Sequence, residues 1–158
     1  LDIGINTDEF KTRLYPPEKI SKKFNLKPHE YIVIHTKSAA RIRSWNRINE
    51  LKKLLPHEKF FIVQEEKTTI SELATIIKNS KLFIGIDSMP IWIASSFEIP
   101  IIGLYGNLLY KNKVTHFPKN KHAIYLEASG HPNKISPNQI IKEIEKLIGG
   151  VNGKRIWL

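Results

Sequence analysis

Short apolar runs alternate with amphipathic segments along this chain, and the pattern predicts alternating strands and helices. The runs are rich in β-branched residues, as is typical of buried parallel strands. Five strands are predicted, over Tyr31–Thr36, Phe60–Val63, Leu82–Ile86, Ile101–Tyr105 and Ala123–Leu126. This alternation predicts an α/β fold, a Rossmann-like parallel sheet with helices on both faces. The order of the strands cannot be read from one sequence.

Helices are predicted where apolar residues recur every three or four positions. They cover Pro17–Phe24, Trp45–Leu55, a segment capped by Thr69 or Ser71, Pro90–Phe97 and a closing helix that begins at Pro137. In the second of these, the expected core face carries Ile48, Leu51, Leu54 and Leu55. We therefore divide the 158 residues into an entry segment over 1–28, one Rossmann-like domain over 29–150 and a tail over 151–158.

Composition narrows the classes of protein to consider. The sequence has no cysteine, which excludes disulfides and a Cys nucleophile and fits a reducing, cytoplasmic location. We find no signal-peptide pattern and no apolar run of the roughly 18 residues that a membrane span needs. The six histidines are not spaced like the ligands of a metal site. We therefore expect neither a metal site nor a cofactor.

The net charge of +10, from 25 basic and 15 acidic residues, favours anionic partners. Phosphorylated ligands, an anionic membrane surface and nucleic acid all fit this excess, and so does a merely solvated basic surface. No recognisable helix-turn-helix, RNA-recognition or zinc signature is present, so specific nucleic-acid binding ranks last.

The loop after the first predicted strand concentrates hydroxyl groups and cations. It contains Thr36, Lys37, Ser38, Arg41 and Arg43. Ligands bind at the carboxyl ends of parallel strands, and such groups suit a diphosphate there. The loop has no glycine, so it is not a P-loop. A flexible basic surface loop is the alternative interpretation.

Two further loops follow the second and third predicted strands. Glu65 and Glu66 stand where an acid in Rossmann-type folds can accept hydrogen bonds from ribose hydroxyls, although solvent-facing glutamates are an equally simple interpretation. Asp87, Ser88 and Met89 come directly before a helix, whose first N–H groups favour an anion. Alternatively, Asp87 and Ser88 only cap that helix.

The stretch from Lys81 to Gly106 resembles the signature of glycosyltransferase family nine, the ADP-heptose:lipopolysaccharide heptosyltransferases. The matching positions are Asp87, Ser88, Pro90, Ala94, Pro100 and Gly106. Upstream, Thr68–Ile77 resembles the family's preceding helix, and Arg43-Ser44-Trp45 resembles its Lys-x-Trp element. Residues 1–28 resemble the interdomain linker that enters the second domain of the family. The resemblance covers most of the chain, and its specificity lies in the order of the motifs.

The resemblance implies the donor-binding, C-terminal half of a GT-B enzyme that acts in lipopolysaccharide or other cell-envelope glycan synthesis. Such a domain would bind a nucleotide-diphosphate sugar, an ADP-sugar foremost, for metal-independent inverting transfer. An N-terminal acceptor domain, absent from this chain, would carry the catalytic base. We therefore name no catalytic residue and expect this chain alone to be inactive. A peripheral position at the inner membrane is compatible with this role.

The resemblance also implies roles for individual residues. Asp87, Ser88 and the N–H of Met89 would lie near the donor phosphates or sugar. Arg43 would stand where the family has a phosphate-binding Lys, Thr36–Ser38 would line the same pocket, and Glu65 or Glu66 would meet the ribose.

The sequence departs from the family pattern in three places. Met89 replaces a Gly and adds a side chain. Trp92 replaces a His. This change removes a titratable hydrogen-bonding side chain and provides an aromatic face for stacking. The connection from Val63 to Thr68 lacks one βα element. A non-catalytic binding or interaction module of the same fold is therefore the alternative function.

Overall fold

The computed structural model describes residues 14–20, 22–107 and 117–149. The described strands are β1 (Tyr31–His35), β2 (Lys59–Ile62), β3 (Leu82–Ile86), β4 (Ile101–Gly106) and β5 (Ala123–Ala128). The described helices are α1 (Ile48–Leu54), α2 (Ile70–Lys78), α3 (Met89–Ser95) and α4 (Pro137–Ile148). The predicted tail over 151–158 and much of the predicted linker lie outside the described residues.

The strands form one parallel sheet in the order β2-β1-β3-β4-β5. β2 lies on one side of β1, and β3, β4 and β5 follow on the other side, so the order of the strands reverses between β1 and β3. These two strands are direct neighbours, and His35 pairs with Gly85. In open parallel sheets, such a switch point opens a crevice at the carboxyl ends of the two strands. The topology therefore indicates where a ligand would bind.

The side chains of alternating strand residues pack into two separate hydrophobic cores, one on each face of the sheet. On one face Tyr31, Val33 and Phe83 pack with the apolar sides of α2 and α3. On the other face Ile32 and Ile34 pack with α1 and α4. Since the strands are buried on both faces, the apolar runs in the sequence are continuous. The predicted α/β class, with helices on both faces, is confirmed.

Capping residues define where two of the helices begin. Thr69 caps α2: its side chain accepts a hydrogen bond from the N–H of Glu72, whose carboxylate accepts one in return from the N–H of Thr69. Ser136 and Gln139 form the same reciprocal pair at the start of α4. Such capping boxes satisfy N–H groups that a helix leaves without partners. Of the two predicted caps of α2, Thr69 is confirmed.

Two helix predictions need correction. Pro17–Phe24 is not a helix; its described residues form only a short 3₁₀ turn at Lys22–Phe24. Ile20 and Phe24 both pack against the core, so tertiary contacts override the weak helical preference of a polar segment. The helix predicted from Trp45 begins at Ile48 instead, and Leu54 is half-exposed rather than on its core face.

Among the residues that the structure describes, no helix combines the length and apolar character needed to cross a bilayer.

Candidate functional site

A cavity of about 440 Å³ opens at the carboxyl ends of β1, β2 and β3. This volume is within the range of small-molecule sites. Its wall combines polar and apolar side chains: His35, Lys37, Ser38, Ala39, Val63, Glu66, Thr68, Thr69, Ile70, Leu73, Ser88, Met89 and Pro90. It lies at the switch point of the sheet, where the topology predicts a ligand.

The loop after β1 is held to the domain by Trp45. This side chain is fully buried, and its indole N–H donates to the carbonyl of Ile135 at 2.9 Å. Its backbone N–H donates to the carbonyl of Thr36 at 2.8 Å, which brings the two ends of the loop together. Inside the loop, the Ser44 hydroxyl accepts from the N–H of Ser38 at 3.0 Å. The loop that presents Lys37 and Ser38 is thus anchored by its own residues.

Thr36 does not reach the cavity. Its side chain is buried, and its hydroxyl oxygen accepts a hydrogen bond from the amide of Gln64 at 3.0 Å. Gln64 also accepts from the backbone N–H of Thr36, at 3.4 Å. Thr36 therefore ties the end of β1 to the end of β2 beneath the loop.

His35 and Ser88 form a polar pair within the cavity wall. The Ser88 hydroxyl lies 2.9 Å from Nδ1 of His35 and 3.1 Å from the carbonyl oxygen of Ile86. Burial lowers the pKa of His35 to about 4, so the imidazole is neutral at pH 7. Ser88 occupies the N-cap position of α3, yet its side chain makes no capping hydrogen bond there. Ser88 is therefore the N-cap residue by position, as predicted, but its hydroxyl does not cap the helix.

Arg43 and Asp87 lie beside the cavity rather than in its wall. A guanidinium nitrogen of Arg43 is 3.8 Å from a carboxylate oxygen of Asp87, and both side chains are partly exposed. The two predicted site residues come from loops after β1 and β3, so the sheet brings them together from distant parts of the chain. Of the two predicted cations Lys37 and Arg43, Lys37 is the one that lines the cavity.

The remaining predicted site residues divide between the wall and its surroundings. Glu66 and Met89 line the cavity, whereas Glu65 and Trp92 do not. Trp92 is 46% exposed on the outer side of α3. Lys37, Ser38, Glu66, Ser88 and Met89 thus share one space.

Sequence reasoning missed two features of this site. His35 had a signal, since it lies near the end of a predicted buried strand, next to a loop of candidate residues. The apolar part of the wall, formed by Val63, Ile70 and Leu73, had none, because these positions also fit ordinary core or surface positions. Within the described ranges, no group of three or more potential metal-ligating side chains occurs.

Comparison with known proteins identifies the family to which the chain belongs. The family model of glycosyltransferase family 9 (heptosyltransferase) matches residues 10–142. No curated protein sequence matches the chain.

Several solved structures with a similar fold are glycosyltransferases. A glycosyl transferase family 9 protein from Veillonella parvula DSM 2008 aligns over 80% of this chain and 48% of its own, with a TM-score of 0.64 and 20% identity. E. coli ADP-heptose lps heptosyltransferase II aligns over 80% and 49%, with a TM-score of 0.64 and 16% identity.

E. coli heptosyltransferase WaaC, solved with ADP-2-deoxy-2-fluoro heptose, aligns over 78% of this chain and 45% of its own, with a TM-score of 0.63 and 17% identity. The chain spans about half the length of each of these proteins. At these identities, the likeness demonstrates the fold.

Proposed function

This chain belongs to glycosyltransferase family 9, and from that premise we propose that it is the donor-binding domain of a sugar transferase. Its ligand is a nucleotide-diphosphate sugar, an ADP-sugar foremost. The domain is the C-terminal half of a GT-B enzyme, and a separate N-terminal domain holds the acceptor. The product is a cell-envelope glycan such as lipopolysaccharide.

The observation that carries this proposal is the mixed chemistry of the cavity wall. Lys37 and Ser38 offer a cation and a hydroxyl to a diphosphate, while Glu66 offers a carboxylate to ribose hydroxyls. Val63 and Leu73 offer apolar surface to a base. The WaaC structure, solved with an ADP-heptose analogue, favours ADP as the nucleotide.

We propose metal-independent, inverting transfer for the whole enzyme. Lys37, in the cavity wall, and Arg43, beside it, would offset the charge that develops on the leaving diphosphate. Nucleotide affinity measured with EDTA and with Mg²⁺ tests the metal-independent part. Equal affinities are expected, and a strict need for Mg²⁺ would contradict it.

The first experiment is a calorimetric titration of the chain with ADP, UDP, GDP and CDP, with tripolyphosphate as a polyanion control. We expect a clear preference for one nucleoside diphosphate. Lys37→Ala should weaken its binding about ten- to a hundredfold, since a charge-assisted hydrogen bond contributes about 1.5–3 kcal/mol. Lys78→Ala is the matched control, because Lys78 is exposed at the far end of α2. Equal losses in the two variants would mean that net charge alone attracts the ligand.

A second pair of variants tests the ribose contact. Glu66 lines the cavity and its neighbour Glu65 does not, although both side chains are exposed. Glu66→Gln should weaken binding of the preferred nucleotide, and Glu65→Gln should leave it unchanged. Equal behaviour of the two variants would remove Glu66 from the proposed site.

The alternative is a non-catalytic binding module of the same fold. It is favoured by the two exposed side chains that depart from the family pattern, Met89 and Trp92. A parent protein that binds the nucleotide but transfers no sugar from any ADP-sugar would support this alternative. Sugar transfer by the parent protein would exclude it.

A further inference from the structure

His35 and Ser88 meet because β1 and β3 are adjacent in the sheet. His35 is the last residue of β1 and pairs with Gly85 of β3, and Ser88 follows three residues later. Both residues line the cavity. Their hydrogen bond therefore lies where a ligand would be bound, rather than in the core of the domain.

The contacts of Ser88 determine which ring nitrogen of His35 carries the proton. A serine hydroxyl has one hydrogen to donate, and the carbonyl of Ile86 can only accept. The Ser88 hydroxyl therefore donates to Ile86 at 3.1 Å and accepts from His35 at 2.9 Å. Nδ1 of His35 must then carry its hydrogen. In the neutral ring, Nε2 is left as an acceptor.

We propose that Nε2 of His35 accepts a hydrogen bond from a hydroxyl group of the bound sugar nucleotide, and that Ser88 is the positioning residue that fixes the required tautomer. This inference rests on the function proposed above. A phosphate oxygen is excluded as the partner, because two acceptors cannot share a hydrogen bond without a donor. The charged groups around the pair come from every neighbouring loop, and they are Lys37, Glu66, Asp87 and Arg43.

Two substitutions separate the functions of the two ring nitrogens. The amide nitrogen of an asparagine falls near Nδ1, so His35→Asn keeps a donor for Ser88 but removes the acceptor. A glutamine reaches the position of Nε2 and can offer its amide oxygen to the ligand. We expect His35→Asn to bind the preferred nucleotide about three- to tenfold more weakly, the loss of one neutral hydrogen bond. His35→Gln should recover most of that loss.

The ligand identifies which hydroxyl is recognised. Wild type and His35→Asn are titrated calorimetrically with ADP, 2′-deoxy-ADP, 3′-deoxy-ADP and ADP-glucose. If a ribose hydroxyl is the partner, the two proteins should bind one deoxy analogue equally well and differ with ADP. If the hydroxyl belongs to the sugar that is attached to the diphosphate, the two proteins should differ in affinity only with ADP-glucose. Equal affinity of wild type and His35→Asn for all four compounds would overturn the inference and leave the proposed function standing.

A measurement without ligand tests the tautomer itself. Long-range ¹H–¹⁵N NMR distinguishes a protonated from an unprotonated ring nitrogen. At pH 7 we expect Nδ1 of His35 to be protonated in the wild type, and Ser88→Ala to shift the ring towards the other tautomer. A hydrogen on Nε2 in the wild type would overturn the inference. If the wild type binds no nucleotide at all, the proposed function fails as well.

Discussion

Trp45 offers the sharpest test of how the cavity is built, because one buried side chain anchors the whole cationic loop. Trp45→Phe keeps an aromatic ring but removes the N–H that donates to the carbonyl of Ile135. The residue has no exposed surface, so the smaller ring leaves a void in the packed interior. The substitution therefore removes a hydrogen bond and packing at once.

The size of the effect follows from these two losses. A buried acceptor without its partner costs about 1–3 kcal/mol. A void of about a methyl group or more adds about 1 kcal/mol. We expect the free energy of unfolding of Trp45→Phe to fall by about 2–4 kcal/mol. For a domain of this size, that lowers Tm by roughly 4–16 °C.

Thermal unfolding followed by circular dichroism measures this change. The matched control is Trp92→Phe, which makes the same substitution at a side chain that is 46% exposed. Substitutions at exposed positions usually change stability by less than about 0.5 kcal/mol, so Tm should move by under about 2 °C. Equal changes in the two variants would refute the reasoning that Trp45 holds the loop in place through its buried contacts.

Three further predictions concern stability. Thr69→Ala should lower the free energy of unfolding by about 1 kcal/mol through loss of the capping box, whereas Ser71→Ala, in the same turn, should have little effect; urea unfolding compares them. Gly106→Ala should cost about 1–3 kcal/mol in the same assay, since an added Cβ would overlap the carbonyl oxygen of Gly130, and an unchanged urea midpoint would contradict this. The pKa of His35, about 4 in the folded chain against an ordinary value of 6.5, means that the unfolded chain binds more protons between these two values. The free energy of unfolding should therefore keep the whole His35 contribution above about pH 6.5 and fall by up to about 3 kcal/mol as the pH approaches 4. Unfolding curves at pH 7 and pH 4.5 measure this change, and His35→Asn should lose this part of the pH dependence.

The strands were largely predictable because their signal is local. Leu82–Ile86 was predicted with the bounds that the structure has, since a strand buried on both faces must be apolar at every position. The segment Pro17–Phe24 was not predictable in the same way. Its residues are polar and give little periodic signal, so contacts of Ile20 and Phe24 with a distant core decide its conformation.

The candidate site was predictable only in part. Parallel strands end at one edge of a sheet, so the loops after them were the place to look, and the cavity lies among these loops. Which side chains enter the cavity depended on contacts that no local pattern reveals. The hydroxyl of Thr36 is hydrogen-bonded to Gln64 and does not reach the cavity, and Arg43 lies beside Asp87. Glu66 lines the cavity while its neighbour Glu65 does not.

The sequence by itself determined the fold class, the loops that could carry function and a resemblance that the family match confirmed. These properties follow from local hydrophobic patterning and from the order of short motifs. Only the tertiary structure decided that β1 and β3 are neighbours, and so that His35 and Ser88 are hydrogen-bonded at the edge of a cavity. Their pairing joins residues 53 positions apart, and it is fixed by the order of the strands rather than by either residue's own surroundings in the chain.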